Sequence, residues 1–207
     1  PGHAPSFNPA AVMRQVHFAF RPDDTGRGWH GGHGAHAVHA TTSGFTVTPS
    51  SMDAREGAPV TFETRVIGRG AQPAAVARGA GRVDTDGHLA LDRGETVEHL
   101  RNVEEGVEQS FSFAERPRGE GDLEVRVHVS GQEYAGETPL GHHFMDPATG
   151  IGLRYGRATW IDGQGETASL PVRYAAGELT ITVPEALVEG SAYPALLDPA
   201  ISAEFGM

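Results

Sequence analysis

A chain of 207 residues, 38% of them hydrophobic, is long enough to bury a substantial core as one large domain or two small ones. Its formal net charge of −11 argues against a nucleic-acid partner, because phosphate binding needs a basic surface. With no cysteine, disulfides, thiolate metal sites and cysteine nucleophiles are excluded.

All 16 basic residues are arginine, which reads as the codon bias of a GC-rich genome and not as function. Gly (28) and Pro (14) are abundant while aromatics make up 7%, a density of punctuation that favours short elements joined by turns. No run approaches the roughly 18 apolar residues that span a bilayer, so membrane insertion is not expected. From Pro1 onward there is neither a basic n-region nor an apolar h-region, so a signal peptide would have been removed.

Residues 1–14 read as a poorly ordered lead-in. "QVHFAFRP" is the first predicted strand, with Val16, Phe18 and Phe20 alternating against Gln15, His17 and Ala19. Glycine-rich residues 26–34 are expected to loop, with Trp29 available to pin them, before two short strands, "AHAVHATT" and "GFTVTP", split at Ser43-Gly44. In "APVTFETRVIGRG", Val60, Phe62, Thr64 and Val66 fall on one face, and "GRVDTDGHLALDRG" reads as two strands about Asp86-Gly87.

"ETVEHLRNV" and "GVEQSFSFAE" follow, the second grouping Val107, Gln109, Phe111 and Phe113. "GDLEVRVHVSG" alternates most cleanly, with Leu123, Val125, Val127 and Val129 inward and Glu124, Arg126 and His128 toward water. "HHFMD", "GLRYGRATWID" and a strand through Leu179, Ile181 and Val183 come next, with a turn at Gly163-Gln164-Gly165. "PEALVEG" is the one short-helix candidate, Pro184 in its first turn and Gly190 at its end. About a dozen short strands with almost no helix predict an all-β fold, an antiparallel β-sandwich, one large or two small. Residues 15–114 and 122–199 would form its two halves, joined weakly at 115–121, with 200–207 linking to a following domain.

Four patterns are candidates for chemistry. His30, His33, His36 and His39 recur every third residue, and zinc takes three or four such ligands. That period matches neither one strand face nor the i, i+4 spacing of helical metal sites, and a strand at 35–41 would send His36 and His39 to opposite faces. Glu120, Asp122 and Glu124 form E-x-D-x-E, which one strand would align as in some β-sandwich glycosidases. A carbohydrate-active reading of this triplet requires an aromatic platform across a cleft, for which Trp160 and Tyr155 are the candidates.

"VDTDGHL" holds D-x-D-G, a fragment of a calcium loop that a hairpin turn also explains. "GHHFMDP" sets His142 and His143 beside Asp146, but neighbours on a strand face opposite ways. No G-x-S-x-G, phosphate loop or dinucleotide fingerprint occurs, and Ser110, Ser112 and Ser130 lie on strands without a nucleophile elbow.

The run "TVEHLRNVEEGVEQSFSFAERPRGEGDLEVRVHVSG", then "GLRYGRATWIDGQGE", then "ELTITVPEALVEGSAYPALLDP" resembles a β-rich accessory module of large secreted or cell-surface bacterial proteins. Such modules, common in myxobacteria and their relatives, precede integrin-like FG-GAP repeats, and the resemblance covers about residues 95–205, closing on Y-P-x-x-L-D-P. It implies an extracellular, β-rich accessory domain and carries over no catalytic residue; together with continuous strand alternation and the lack of a catalytic set, it leads to the expectation of a noncatalytic domain of adhesion type that supports or positions its neighbours. The expected partners are neighbouring domains of the same chain and a surface protein or carbohydrate ligand. No cofactor is expected beyond the zinc and calcium alternatives above. In the closing motif, Leu196 and Leu197 anchor a last strand and Asp198-Pro199 marks its exit.

Overall fold

The structure, a computed structural model, describes residues 17–70 and 75–205. Its first strands are β1 (Arg21–Pro22), β2 (Trp29–His33), β3 (His36–Thr41), β4 (Gly44–Pro49), β5 (Val60–Arg69), β6 (Gly81–Val83), β7 (Leu89–Asp92), β8 (Thr96–Val103) and β9 (Gly106–Phe113). There follow β10 (Leu123–Ser130), β11 (Glu133–Thr138), β12 (Gly141–Met145), β13 (Ile151–Ile161), β14 (Thr167–Leu170), β15 (Val172–Ala175), β16 (Glu178–Val183), the helix α1 (Glu185–Gly190) and β17 (Ala195–Phe205).

These strands form two antiparallel sheets, ordered β1-β2-β3-β4-β5-β10-β16-β15 and β11-β12-β13-β17-β9-β8-β7-β6, with β14 pairing β13. The expected halves are interleaved: β5 pairs β10 in the first sheet and β9 pairs β17 in the second. The choice between one large sandwich and two small ones therefore falls to one.

Strand alternation builds the core. In β10, Leu123, Val125 and Val127 are fully buried and Val129 nearly so, while Glu124, Arg126 and His128 lie on the outer face. Val107, Gln109, Phe111 and Phe113 are buried together on β9, as their spacing requires. The sheets meet where Phe62 of β5 packs on Tyr155 of β13, ring centroids 5.8 Å apart, with Phe45 stacked behind Phe62. Each such aliphatic or aromatic side chain stabilises the fold by roughly 1.5–3 kcal/mol when fully buried.

Both sides of the sandwich are closed by aromatics. Trp29 lies flat on Gly81 of β6, where an added Cβ would stand 2.3 Å from the indole ring. On the opposite side Tyr134 of β11 stacks on Tyr174 of β15 at 4.2 Å. His142 Nε2 donates to the Val172 carbonyl at 2.8 Å, tying β12 to β15 across the same gap.

Several local expectations need correction. "QVHFAFRP" does not form one strand: His17 and Phe18 are helical, only Arg21–Pro22 pairs, and residues 15–16 lie outside the described residues. Phe20 instead enters the core, its amide bonded to the Gly87 carbonyl at 2.9 Å. Within the expected loop 26–34, residues 29–33 are β2, paired to β3. Glycine is needed there because a Cβ on Gly32 would meet the His36 carbonyl oxygen at 2.6 Å.

In β5 the alternation breaks before Val66. The register against β10 shifts, Val127 facing Thr64 but Arg126 facing Val66, so Ile67 rather than Val66 packs on the core. Pro184 is the N-cap of α1 and not a first-turn residue. Residues 200–205 do not leave the fold as a linker but continue β17, and Asp198-Pro199 lies in mid-strand. Proline is tolerated there because the pairing of β17 with β9 skips Asp198 and Pro199, although Pro199 still faces Ala158 of β13. The lead-in 1–14 lies outside the described residues.

Candidate functional site

The acidic triplet is not gathered on one strand face, because β10 begins at Leu123 and leaves Glu120 and Asp122 in the turn before it. Asp122 Oδ1 accepts the Glu185 amide at 2.8 Å and so satisfies a free N–H at the start of α1. Glu124 Oε2 accepts from Arg126 Nε at 2.9 Å on the outer face. Trp160 and Tyr155, the candidate sugar platforms, are fully buried between the sheets. Trp160 Nε1 donates to Ser191 Oγ at 2.8 Å, fixing the ring beside Phe113.

The histidine run splits into two cross-strand pairs, His30 with His39 and His33 with His36, on opposite faces of the β2–β3 hairpin. His39 is exposed and stands 3.2 Å from Asp23 Oδ2, while His33 packs against the rings of Phe18 and His17. His36 is buried, its Nε2 donating to Asn102 Oδ1 at 2.7 Å. Asn102 Nδ2 donates in turn to the carbonyls of Gly32 (2.9 Å) and Phe18 (3.3 Å). Burial, opposed by the Asn102 bond, holds the His36 pKa below its usual value. Among the described residues no group of three or more His, Asp or Glu side chains is arranged to hold a metal ion.

In the D-x-D-G fragment, Asp84 Oδ1 accepts the amides of Asp86 (2.8 Å) and His88 (3.0 Å), which shapes the β6–β7 turn. His142 and His143 point to opposite faces as the strand requires. Inward, the carbonyl of Val172 forces the His142 proton onto Nε2, so Nδ1 accepts from the Tyr134 hydroxyl at 3.0 Å. Asp146 caps the loop after β12, accepting from the amides of Ala148 (2.9 Å) and Ala58 (3.0 Å) and from Thr149 Oγ1 (2.9 Å). These bonds, that of Ala148 first, hold its carboxyl below the usual range.

Three groupings join residues far apart in the chain, and no local pattern announces them. The first is a polar network inside the core. Glu98 accepts from Arg93 Nε (2.7 Å), Gln109 Nε2 (2.6 Å) and Thr64 Oγ1 (3.0 Å), and Gln109 Oε1 accepts from Tyr155 (2.8 Å). Burial pushes the Tyr155 phenol well above its usual pKa, with the Glu98 charge adding to it.

The second is a hydroxyl–imidazole–carboxylate line on the outer face of the second sheet. Thr138 Oγ1 lies 2.7 Å from His143 Nε2, and His143 Nδ1 donates to Glu204, which also accepts from Arg154. Thr138 Oγ1 takes the Leu140 amide as well, so the line locks the β11–β12 turn. It has the order of groups that activates a nucleophile, on a β-branched secondary hydroxyl.

The third is a cavity of about 460 Å³ at one end of the sandwich. Ile67 and Leu123 line it from the first sheet, Phe113 from the second, and Val76, Arg93 and Arg118 from the connecting segments. No family model, no curated protein and no solved structure matches this chain, so the residues above stand on their geometry alone.

Proposed function

We propose that this chain is a noncatalytic, extracellular accessory domain of adhesion type, which supports or positions neighbouring domains of a larger surface protein. The observation that carries this reading is how the reactive-looking side chains are engaged. Asp122 holds the start of α1, Glu124 pairs with Arg126, and Asp146 and Asp84 shape turns. His36, His142 and His143 bond across strands to Asn102, Val172 and Glu204. Side chains committed to holding a frame are poor acids, bases or ligands. The resemblance of residues 95–205 to modules of secreted bacterial proteins supports the extracellular setting.

The test is a turnover screen over glycosides of varied sugar and linkage. No hydrolysis above buffer is expected. Turnover that disappears in Glu120→Gln or Glu124→Gln, with folding unchanged, would overturn it in favour of a glycoside hydrolase.

A further inference from the structure

Four side chains of the core network are placed to react with one another. Thr64 lies on β5 of the first sheet, while Glu98, Gln109 and Tyr155 lie on β8, β9 and β13 of the second. None of the four is more than 3% exposed. Gln109 Nε2 stands 3.4 Å from Thr64 Oγ1, which sets the hydroxyl beside the amide carbon one bond further on.

The groups around that contact are those an acyl transfer needs. Glu98 Oε1 accepts from both the Thr64 hydroxyl (3.0 Å) and the Gln109 amide nitrogen (2.6 Å). One carboxylate oxygen can therefore carry a proton from the first to the second. Arg93 Nε holds the other oxygen, Oε2, at 2.7 Å and so fixes how the carboxylate is turned. The Tyr155 hydroxyl donates to Gln109 Oε1 at 2.8 Å, where negative charge develops once the amide carbon is attacked. Burial keeps that phenol protonated, and hence a donor, well past neutral pH.

We propose that Thr64 and Gln109 condense within the folded core into an ester that joins the two sheets. Thr64 Oγ1 adds to Gln109 Cδ as Glu98 Oε1 takes the hydroxyl proton, and the resulting oxyanion rests on the Tyr155 hydroxyl. Glu98 then passes the proton to Nε2, the Cδ–Nε2 bond breaks, and ammonia leaves. One C–O bond replaces one C–N bond, with no redox change and no co-reactant. An amide is ordinarily the more stable side of this exchange. Here the fold presents the hydroxyl at an effective concentration that can reach about 10⁵–10⁸ M, while the ammonia is diluted and protonated in solvent. The chain has no cysteine to form a disulfide, so the ester gives it a covalent tie across the sandwich. Each chain reacts once, which is self-modification and not turnover; the inference goes beyond the accessory role and does not depend on it.

Intact-mass spectrometry of the purified, denatured chain tests it. The expected mass is that of the sequence less one ammonia, with Thr64 and Gln109 recovered in one cross-linked peptide that hydroxylamine cleaves. Thr64→Val and Gln109→Glu should each keep the full mass of their own sequence. Tyr155→Phe should slow the condensation by about 10²–10³-fold, leaving the unreacted mass predominant. The full sequence mass in the folded, unaltered chain would overturn the proposal. So would a loss of ammonia without the cross-linked peptide, or one that persists in Thr64→Val. If the variants do not fold, the mass and peptide map of the unaltered chain decide alone. Complete reaction in Tyr155→Phe would remove Tyr155 as the oxyanion donor.

Discussion

Arg93, in the turn between β7 and β8, holds its Nε 2.7 Å from Glu98 Oε2 of β8, and the two side chains are 0% and 1% exposed. Two ionised groups so far from water are held only by each other and by Gln109, Thr64 and Thr42. Removing one charge strands the other. Glu98→Gln should cost about 3–5 kcal/mol. For a domain of this size that is a fall in melting temperature on the order of 10 °C. The exposed pair Arg101–Glu108, at 56% and 41%, supplies the contrast: Arg101→Ala should change stability by less than about 1 kcal/mol. Equal losses in the two variants would show that the buried network is not a principal tie between the sheets.

Stability should also fall in mild acid, and His36 should account for part of the slope. Burial lowers its folded pKa below the unfolded value near 6.5, so the unfolded chain takes up the proton first as pH falls. The His36 contribution is thus complete above pH 6.5 and is lost as pH drops through the folded pKa. His99, also lowered by burial, acts in the same direction. Carboxyls held low by backbone amides, such as Asp146 and Asp162, act only below the usual carboxylate value of 3.8 and leave the window from pH 6.5 to 5 to histidine. Urea denaturation across that window should show a shallower pH slope for His36→Gln than for the unaltered protein. Identical slopes would remove His36 from the account.

Gly44, the first residue of β4, is held to glycine by the close approach of β5. A Cβ on Gly44 would lie 2.2 Å from the Phe62 carbonyl oxygen, whereas one on Gly34 would meet nothing within 4 Å. Gly44→Ala should therefore destabilise by about 1–3 kcal/mol through backbone displacement, while Gly34→Ala stays within about 0.5 kcal/mol. Thermal melts of the two variants side by side check this directly.

Zinc should find no stoichiometric, submicromolar site in the His30–His39 hairpin. The outward pair His30 and His39 and the inward pair His33 and His36 cannot converge on one ion without unpairing β2 from β3. Calorimetry should show only weak binding that persists in His33→Ala. A tight 1:1 site lost in that variant would mean that the hairpin rearranges around metal.

The fold was legible wherever one strand declared its own faces. β10 and β9 alternate without interruption, and Asp86-Gly87 falls within the loop that joins β6 to β7, whereas the β3–β4 turn is Thr42-Ser43, one residue before the expected Ser43-Gly44, with Gly44 already in β4. β2 was illegible because Gly31 and Gly32 sit where alternation would otherwise show, their side chains replaced by the close approach of Phe20 and the β3 backbone. The shift in β5 that exchanges Val66 for Ile67 depends on the partner strand and leaves no mark in β5 itself. The same limit applies to the sites. His143 and Glu204 are 61 positions apart, and Tyr155 and Gln109 are 46, so only strand pairing brings them together. The acidic triplet misled because its spacing is local, while the start of β10 at Leu123 is set by what β5 and β16 offer it.

The noncatalytic reading is most exposed at Thr138, whose hydroxyl meets His143 and, through it, Glu204. The direct test is reaction with a fluorophosphonate, followed by intact-mass spectrometry and peptide mapping. If these three residues only lock the β11–β12 turn, the chain keeps its mass and His143→Ala lowers the melting temperature. A single adduct on Thr138 that vanishes in His143→Ala, with melting temperature unchanged, would contradict the account and make this outer face an active site.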